Sequence, residues 1–259
     1  MIKKCWSALY HLWYHVVVLI SIIVMLPFIF LTSLKQDTYN NFFWWCRLWA
    51  KVVLIGMGFW RVVKRQAEID PSKTYIIIGN HASELDIMMT LVMMKKSPFV
   101  FIGKAELAKA PLFGYFYKRT NILVDRKSIA SKRAVLQKAA ARLQDGVGVC
   151  LFPEGGIPDP KYLLAPFKGG AFKLAIEQQI PILPITYPDN KRHFGEFWDG
   201  GYPGKLRATI HPIIETTGLA EADIDELMNR CYSIIHDELV ANGCNGESIF
   251  DKEKTSFAV

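Results

Sequence analysis

Short apolar runs alternate with helical patterns from about residue 60 to residue 241, and this alternation predicts an α/β domain. Most of the runs are apolar on both faces of a strand, which is typical of a largely parallel central sheet with helices on both faces. The predicted strands are 61–64, 75–78, 99–102, 121–124, 147–152, 182–186 and 206–210. The predicted helices are 86–94, 128–144, 169–179 and 223–241, and Ser128 is the expected N-cap of the second.

The first sixty residues show a different pattern, in which apolar residues fill two long segments. Residues 12–31 contain no Lys, Arg, Asp or Glu, and about twenty such residues suffice to span a bilayer as a helix. Residues 42–60 combine clustered aromatic residues with Arg47 and Lys51, as in amphipathic helices at a membrane interface. We therefore predict a membrane-associated two-helix hairpin that either spans the bilayer or dips into one leaflet. A hairpin buried against the body and a signal peptide are the alternatives.

These patterns divide the chain into three parts. Residues 1–60 form the membrane-associated helices, 61–241 the α/β domain and 242–259 a polar C-terminal tail. Lys3 and Lys4 precede the first apolar segment, which favours a cytoplasmic N-terminus and a location on the cytoplasmic face of the cell membrane.

Composition and charge narrow the class of partner. The 259 residues are 51% hydrophobic and 21% charged, which is apolar for a soluble enzyme but too charged for a polytopic membrane protein. The net charge of +7 indicates an anionic partner, either a lipid headgroup or a phosphorylated substrate. Because no nucleic-acid-binding signature is present, we predict no nucleic-acid partner. The five cysteines show no metal-ligand spacing, which predicts a reducing compartment and no metal site.

Polar side chains follow four of the predicted strands. His81 follows strand 75–78, Lys104 follows 99–102, Arg126 follows 121–124, and Glu154 follows 147–152. If these strands are parallel, their C-terminal ends lie at one edge of the sheet, where ligands bind in open α/β folds. The sequence therefore predicts a functional site at that edge.

The stretch NHASELD at residues 80–86 allows two interpretations. In the first, Ser83 and Asp86 cap a helix and His81 is a loop residue. In the second, the ring of His81 bends back from the turn to Asp86, which orients it as a general base. The two are compatible, and the polar residues converging on the same edge favour the catalytic one. No G-x-S-x-G motif is present, so we expect the substrate to supply the nucleophile.

Other residues at this edge suit a phosphorylated substrate. Arg126 can bind a phosphate through two hydrogen bonds, and Lys104 offers a point charge. The turn FPEGG at 152–156 can direct backbone amides at a phosphate or an oxyanion, with Glu154 orienting Arg126 or a substrate hydroxyl.

Four motifs, in this order and spacing, resemble those of the glycerolipid acyltransferases typified by 1-acyl-sn-glycerol-3-phosphate (lysophosphatidic acid) acyltransferase. They are NHASELD at 80–86, GKAELAKAPLFGYFYKRTNILVDR at 103–126, FPEGG at 152–156 and IPILPIT at 180–186. The resemblance implies transfer of an acyl chain from acyl-CoA or acyl-carrier protein to the free hydroxyl of a lysophospholipid, which gives phosphatidic acid when the acceptor is lysophosphatidic acid. It implies that these are substrates and that no cofactor or metal is bound.

The resemblance also assigns roles to residues. It makes His81 the base, Asp86 its support and Arg126 the phosphate ligand. The further substrate-binding positions that it implies are Asn80, Lys104, Phe152, Pro153, Glu154, Gly155, Gly156, Lys168 and Pro184. One departure concerns the third motif, which often continues with Thr and Arg where this chain has Gly156, Ile157 and Pro158, and Lys161 or Lys168 are candidates to compensate.

Three other functions stay open at this point. The first is the same acyl transfer to another acceptor, either a different lysophospholipid or an acylated amino-acid lipid. In the second, the protein is a non-catalytic lipid-binding module of the membrane, and in the third it is a hydrolase.

Overall fold

A seven-stranded sheet forms the centre of the protein in a computed structural model, which describes residues 2–34, 39–109, 114, 117–118, 121–125, 127–159, 161–195 and 201–248. Its strands in that part of the chain are β1 Phe59–Arg65, β2 Ile76–Gly79, β3 Phe99–Lys104, β4 Ile122–Val124, β5 Gly148–Leu151, β7 Ile182–Thr186 and β8 Gly204–Ile210. Two further strands, β6 Tyr162–Leu164 and β9 Glu247–Ser248, pair with each other in a small separate sheet. Sequence analysis did not predict β6 or β9, which are only three and two residues long.

The strand order is β1-β8-β7-β2-β5-β3-β4, and β7 and β8 are the antiparallel pair. The other neighbours are parallel, which confirms the prediction of a largely parallel sheet. Consequently β2, β3, β4, β5 and β7 all run in one direction, and their C-terminal ends lie at one edge of the sheet.

Helices cover the sheet on both faces. Within the described residues they are α1 Ile2–Ser33, α2 Tyr39–Gly56, α3 Leu85–Met93, α4 Ile129–Gln144, α5 Gly170–Gln178, α6 Asn190–His193 and α7 Ile224–Ala241. Short 3-10 helices occupy Ala105–Lys109 and Glu221–Asp223. The predicted cap of α4 is confirmed, because the Ser128 hydroxyl oxygen accepts a hydrogen bond from the Ser131 amide at 3.1 Å.

Two apolar cores lie on opposite faces of the sheet, and β2 contributes to both. Ile77 packs in the core that contains residues of α1, α2 and α3, whereas Ile76 and Ile78 pack in the core that contains residues of α4, α5 and α7. Successive side chains of a strand point to opposite faces, so a strand covered on both sides must be apolar throughout. This is why β2 begins with three consecutive isoleucines.

The two predicted N-terminal helices are present, but their bounds differ from the prediction. Helix α1 begins at Ile2 and is longer than the predicted 12–31, and α2 ends at Gly56, before a turn at Gly58 (φ +72°) leads into β1. One face of α1 packs through the buried Tyr10 and Tyr14, while the opposite face exposes large apolar residues, among them Leu12, Trp13, Leu19, Ile20, Ile23 and Val24. In the described chain, α1 is the helix that has the length and apolarity to cross a membrane.

Candidate active site

The site begins where β2 ends. There the chain is hydrogen-bonded to the segment that follows the neighbouring strand β7. The side-chain amide of Asn80 donates to the carbonyl of Tyr187 at 3.1 Å and accepts from its backbone amide at 2.8 Å. A methyl group at Gly79 would lie 2.9 Å from both the Ile185 carbonyl oxygen and the Tyr187 ring, so glycine permits this close approach. Asn80, which the motif resemblance assigned to substrate binding, thus has its amide bound to protein backbone.

His81 and Asp86 are in direct contact, as the turn geometry predicted. His81 Nδ1 lies 3.0 Å from Asp86 Oδ2, and the Asp86 carboxylate is fully buried while the ring of His81 keeps 14% of its side-chain surface exposed. Asp86 Oδ2 also accepts the backbone amides of Ala82 and Ser83 at 2.7 and 2.9 Å. An ionised carboxylate only accepts hydrogen bonds, so Nδ1 carries the proton in this contact. Nε2 is then the basic atom of the neutral ring.

The capping interpretation is modified by the structure. Glu84 occupies the N-cap position of α3 without a side-chain cap, and the Ser83 hydroxyl oxygen instead accepts the Leu85 amide at 3.1 Å. The same hydroxyl donates to the carbonyl oxygen of Phe194. The amides that precede α3 are therefore bound mainly by Asp86, which serves the turn and His81 at once.

The ring of Phe152, at the end of β5, fixes the plane of the imidazole. The two ring centroids are 4.0 Å apart with an interplanar angle of 12°, and Phe101 lies beyond Phe152 at 6.5 Å. Stacking on one face and a hydrogen bond at Nδ1 hold the imidazole in one orientation. Phe152 is thus part of the support of His81.

Glu154 connects the loop after β5 to the turn after β2. Its Oε1 accepts the backbone amide of His81 at 2.6 Å, and its Oε2 accepts that of Ala165 at 2.8 Å. Burial raises the pKa of Glu154 to about 8, although both amide hydrogen bonds act to lower it. Both carboxylate oxygens therefore face backbone donors, and the direct effect of Glu154 is on the position of His81.

The glycine turn brings Lys168 into the site. Gly155 has φ +82°, and a Cβ there would lie 2.2 Å from Lys168 Nζ, so the lysine side chain runs along the surface that the glycine leaves open. The Lys168 amide donates to the carbonyl of Pro153 at 2.9 Å, which holds the two segments together. Gly156 follows in the same turn and is half-buried.

The remaining predicted residues lie further from His81 or outside the described residues. Lys104 is exposed at the C-terminal end of β3, on the edge that carries the site. Pro184 is buried within β7 beside Ile78, and its carbonyl accepts the His211 amide at 3.0 Å. Arg126 lies outside the residues that the structure describes.

Sequence reasoning missed the segment that follows β7. Asn190, at the start of α6, donates its side-chain amide to Asp86 Oδ1 at 2.7 Å. The Tyr187 hydroxyl lies 2.6 Å from Thr90 Oγ1, which in turn donates to the Asp86 carbonyl at 2.6 Å. The signal was present, because β7 is one more parallel strand whose C-terminal end reaches this edge. No group of three or more metal-ligating side chains lies together in the described residues.

Comparisons with known proteins identify the family of this fold and site. A family model described as Acyltransferase matches residues 61–188. The 1-acyl-sn-glycerol-3-phosphate acyltransferase of Haemophilus influenzae is 32% identical over 178 residues, which cover 65% of this chain and 72% of the relative. The mouse 1-acyl-sn-glycerol-3-phosphate acyltransferase alpha is 32% identical over 197 residues, covering 70% of this chain and 65% of the relative.

A solved structure shows the same fold. The crystal structure of the 1-acyl-sn-glycerophosphate (LPA) acyltransferase, PlsC, from Thermotoga maritima matches with a TM-score of 0.78 at 20% sequence identity. The match covers 95% of this chain and 100% of the other, so it includes the N-terminal helices as well as the sheet. The fold agrees with the sequence relatives, and those relatives place the chain in the 1-acyl-sn-glycerol-3-phosphate acyltransferase family and make it an acyltransferase.

Proposed function

We propose that the protein transfers an acyl chain from acyl-CoA or acyl-carrier protein to the free hydroxyl of lysophosphatidic acid and so makes phosphatidic acid, working from the cytoplasmic face of the cell membrane. The observation that carries the proposal is the His81–Asp86 contact at 3.0 Å, with Asp86 buried and the imidazole partly exposed. The names of the sequence relatives support lysophosphatidic acid as the acceptor.

The reaction follows from the proton positions in this pair. With Nδ1–H directed at Asp86, His81 Nε2 accepts the proton of the acceptor hydroxyl as its oxygen attacks the thioester carbonyl carbon. The new C–O ester bond forms, the C–S bond breaks, and the imidazolium returns the proton to the departing thiolate. Asp86 stabilises the imidazolium between these two steps without itself taking the proton.

The negative charges of the substrate phosphate and of the oxyanion require cations and amide donors on the exposed side of the His81 ring. Arg126 and Lys104 are proposed to hold the phosphate, and Lys168 beside Gly155 adds a third cation in the turn that lacks the usual Thr and Arg. Amides near Gly155, or Lys104, are proposed to stabilise the oxyanion of the tetrahedral intermediate.

A membrane location agrees with the position of α1 relative to the site. The ring of Phe194 stacks on His11 at 4.4 Å and contacts Tyr14 at 4.6 Å, while its carbonyl accepts the Ser83 hydroxyl. Phe194 therefore contacts both the apolar helix α1 and the turn that carries His81. A lipid acceptor and an acyl chain both partition into the layer in which such a helix would lie.

The test is acyl transfer by purified full-length protein in mixed lipid–detergent micelles, with labelled acyl-CoA or acyl-carrier protein and lysophosphatidic acid. The His81→Ala variant is expected to lose at least about a thousandfold in kcat, as for removal of a general base. His236→Ala, which removes a histidine on α7, is the matched control and should keep full activity. Near-normal transfer by His81→Ala, or release of free fatty acid without an acceptor, would contradict the proposal.

A further inference from the structure

Asn190 holds the side of Asp86 that faces away from His81. Its amide nitrogen lies 2.7 Å from Asp86 Oδ1, and both residues are completely buried. Asp86 Oδ2 takes the imidazole and the two turn amides, whereas Oδ1 receives its side-chain hydrogen bond from Asn190 in the described structure. We infer that Asn190 is a positioning residue that fixes the rotation of the Asp86 carboxylate, an inference that rests on the proposed roles of His81 and Asp86.

The orientation of the Asn190 amide supports this role. Its oxygen is buried and has no hydrogen-bond partner among the described residues. A buried unpaired carbonyl oxygen is unfavourable, so the amide keeps this orientation for the bond made by its nitrogen. The opposite orientation would place the amide oxygen against the Asp86 carboxylate, and two acceptors repel.

Other contacts hold the segment around Asn190 without its side chain. Asp189 accepts hydrogen bonds from Arg207 Nη2 at 2.6 Å and from Arg207 Nε at 2.7 Å, which anchors the start of α6. Upstream, the backbone of Tyr187 is bound by the Asn80 amide. Shortening Asn190 therefore removes one contact to Asp86 while the backbone that presents it stays in place.

Asp86 has several titratable neighbours, which determine how a second carboxyl group would behave. The Cys150 thiol on β5, the Tyr187 hydroxyl and Glu154 all sense the charge of Asp86, and His81 contacts it directly. Those three groups are neutral or anionic, and among the described residues His81 is the basic side chain in direct contact with Asp86. Lys191, next to Asn190, interacts with Glu154 and donates to the Tyr162 carbonyl at 3.0 Å. A second negative charge placed at position 190 would act directly on Asp86, whose Oδ1 lies 2.7 Å from the Asn190 amide nitrogen.

Two substitutions separate positioning from bulk structure. Asn190→Ala deletes the donor, and we expect kcat to fall about 10- to 100-fold while KM for lysophosphatidic acid changes less than about threefold. Asn190→Asp keeps the shape, and its protonated carboxyl group donates to Asp86 Oδ1 as the amide does. Once that proton is lost, two carboxylates lie in contact, and their repulsion turns Asp86 out of the orientation that holds His81.

The pH dependence is the readout that a purely structural role would not produce. Relative to the unaltered protein, kcat/KM of Asn190→Asp should lie within about threefold at about pH 5.5 and fall at least about tenfold by about pH 9. Asn190→Ala should be impaired at both pH values. Thr216→Val is the stability control, because it removes another buried side-chain hydrogen bond, to the Ala175 carbonyl at 3.3 Å, and should leave kcat unchanged.

The outcomes distinguish this inference from the function on which it rests. If His81→Ala is inactive but Asn190→Ala turns over like the unaltered protein, the positioning role is wrong and the catalytic pair stands. The inference is also wrong if kcat/KM of Asn190→Asp, divided by that of the unaltered protein, does not change with pH. If His81→Ala keeps its activity, the proposed chemistry itself is wrong.

Discussion

Replacing Glu154 with Gln tests whether this carboxyl group acts on the backbone of His81 or on the substrate. Glu154 accepts two backbone amides, one on each oxygen, at 2.6 and 2.8 Å. A glutamine side chain offers one acceptor oxygen and an NH2 group, so the substitution sets a donor against one of the two amides. A buried amide left unpaired costs about 1–3 kcal/mol, which corresponds to a fall of roughly 2–12 °C in Tm for a chain of this size.

The same substitution removes a pH dependence whose sign follows from the pKa of Glu154. Burial raises that pKa from 4.5 to about 8, so the folded protein retains a proton that the unfolded chain has released. This contribution to stability is complete below about pH 4.5, declines as the pH rises and is lost by about pH 8. At 1.36 kcal/mol per pH unit, the contribution is at most about 5 kcal/mol. Glu154→Gln has no such titration.

The measurement is the free energy of unfolding in detergent micelles, followed by circular dichroism for both proteins between about pH 5 and 8. The advantage of the unaltered protein should shrink steadily as the pH rises. Glu177→Gln changes an exposed carboxylate that lies 3.7 Å from Lys173, and it should stay within about 0.5 kcal/mol of the unaltered protein. Equal stabilities at every pH would refute the reasoning. A raised KM for lysophosphatidic acid with unchanged stability would show that Glu154 binds substrate instead.

Three further substitutions test the remaining contacts of the site. Phe152→Leu removes the ring stacked on His81 at 4.0 Å and should lower kcat/KM about two- to tenfold in initial-rate assays, and an unchanged value would argue against orientation by stacking. Gly155→Ala places a side chain at φ +82°, where it is strained, and should lower the free energy of unfolding by about 1–2 kcal/mol in denaturant titrations. An unchanged free energy of unfolding would contradict this. Burial acts to raise the pKa of Asp189, but the hydrogen bonds and charge of Arg207 outweigh it and hold the pKa below 3.8. Asp189→Asn should therefore destabilise the protein at neutral pH. In unfolding measurements, the difference in stability between the two proteins should vanish as acidification protonates Asp189. A difference that persists in acid would contradict the role of the Arg207 contact.

The sheet and its active edge could be predicted because they depend on patterns that one strand carries by itself. Ile76, Ile77 and Ile78 alternate between the two cores, and that demand for apolar residues on both faces is visible in the sequence. Once the strands are parallel, the residue after each strand must lie at the common edge, so the sequence predicts that His81 and Glu154 share that edge. The hydrogen bond from the His81 amide to Glu154 Oε1 at 2.6 Å depends in addition on the pairing of β2 with β5, which the sequence pattern does not specify.

The partners of the polar residues were not predictable in the same way. Asn80 and Glu154 bind backbone groups that lie 107 and 73 residues away in the chain, and no local pattern tells whether a polar side chain faces backbone or substrate. The motif resemblance assigned both to substrate binding, whereas their polar atoms in the structure face the protein. Asn190 was missed because its role depends on the distance between two loops.

These contacts separate the site into a fixed half and an open half. Behind the imidazole, Asp86, Phe152 and Glu154 are buried or stacked and are bound to the turns that follow β2, β5 and β7. On the other side, Lys104 and Lys168 are exposed at the end of β3 and beside the glycine turn. If His81 is the base, a substitution in the fixed half should displace it for every substrate, whereas one in the open half should change only the charge offered to a particular headgroup. The departure from the family motif at 156–158 falls next to the open half, so we expect it to affect the choice of acceptor and to leave the proposed proton transfer by His81 intact.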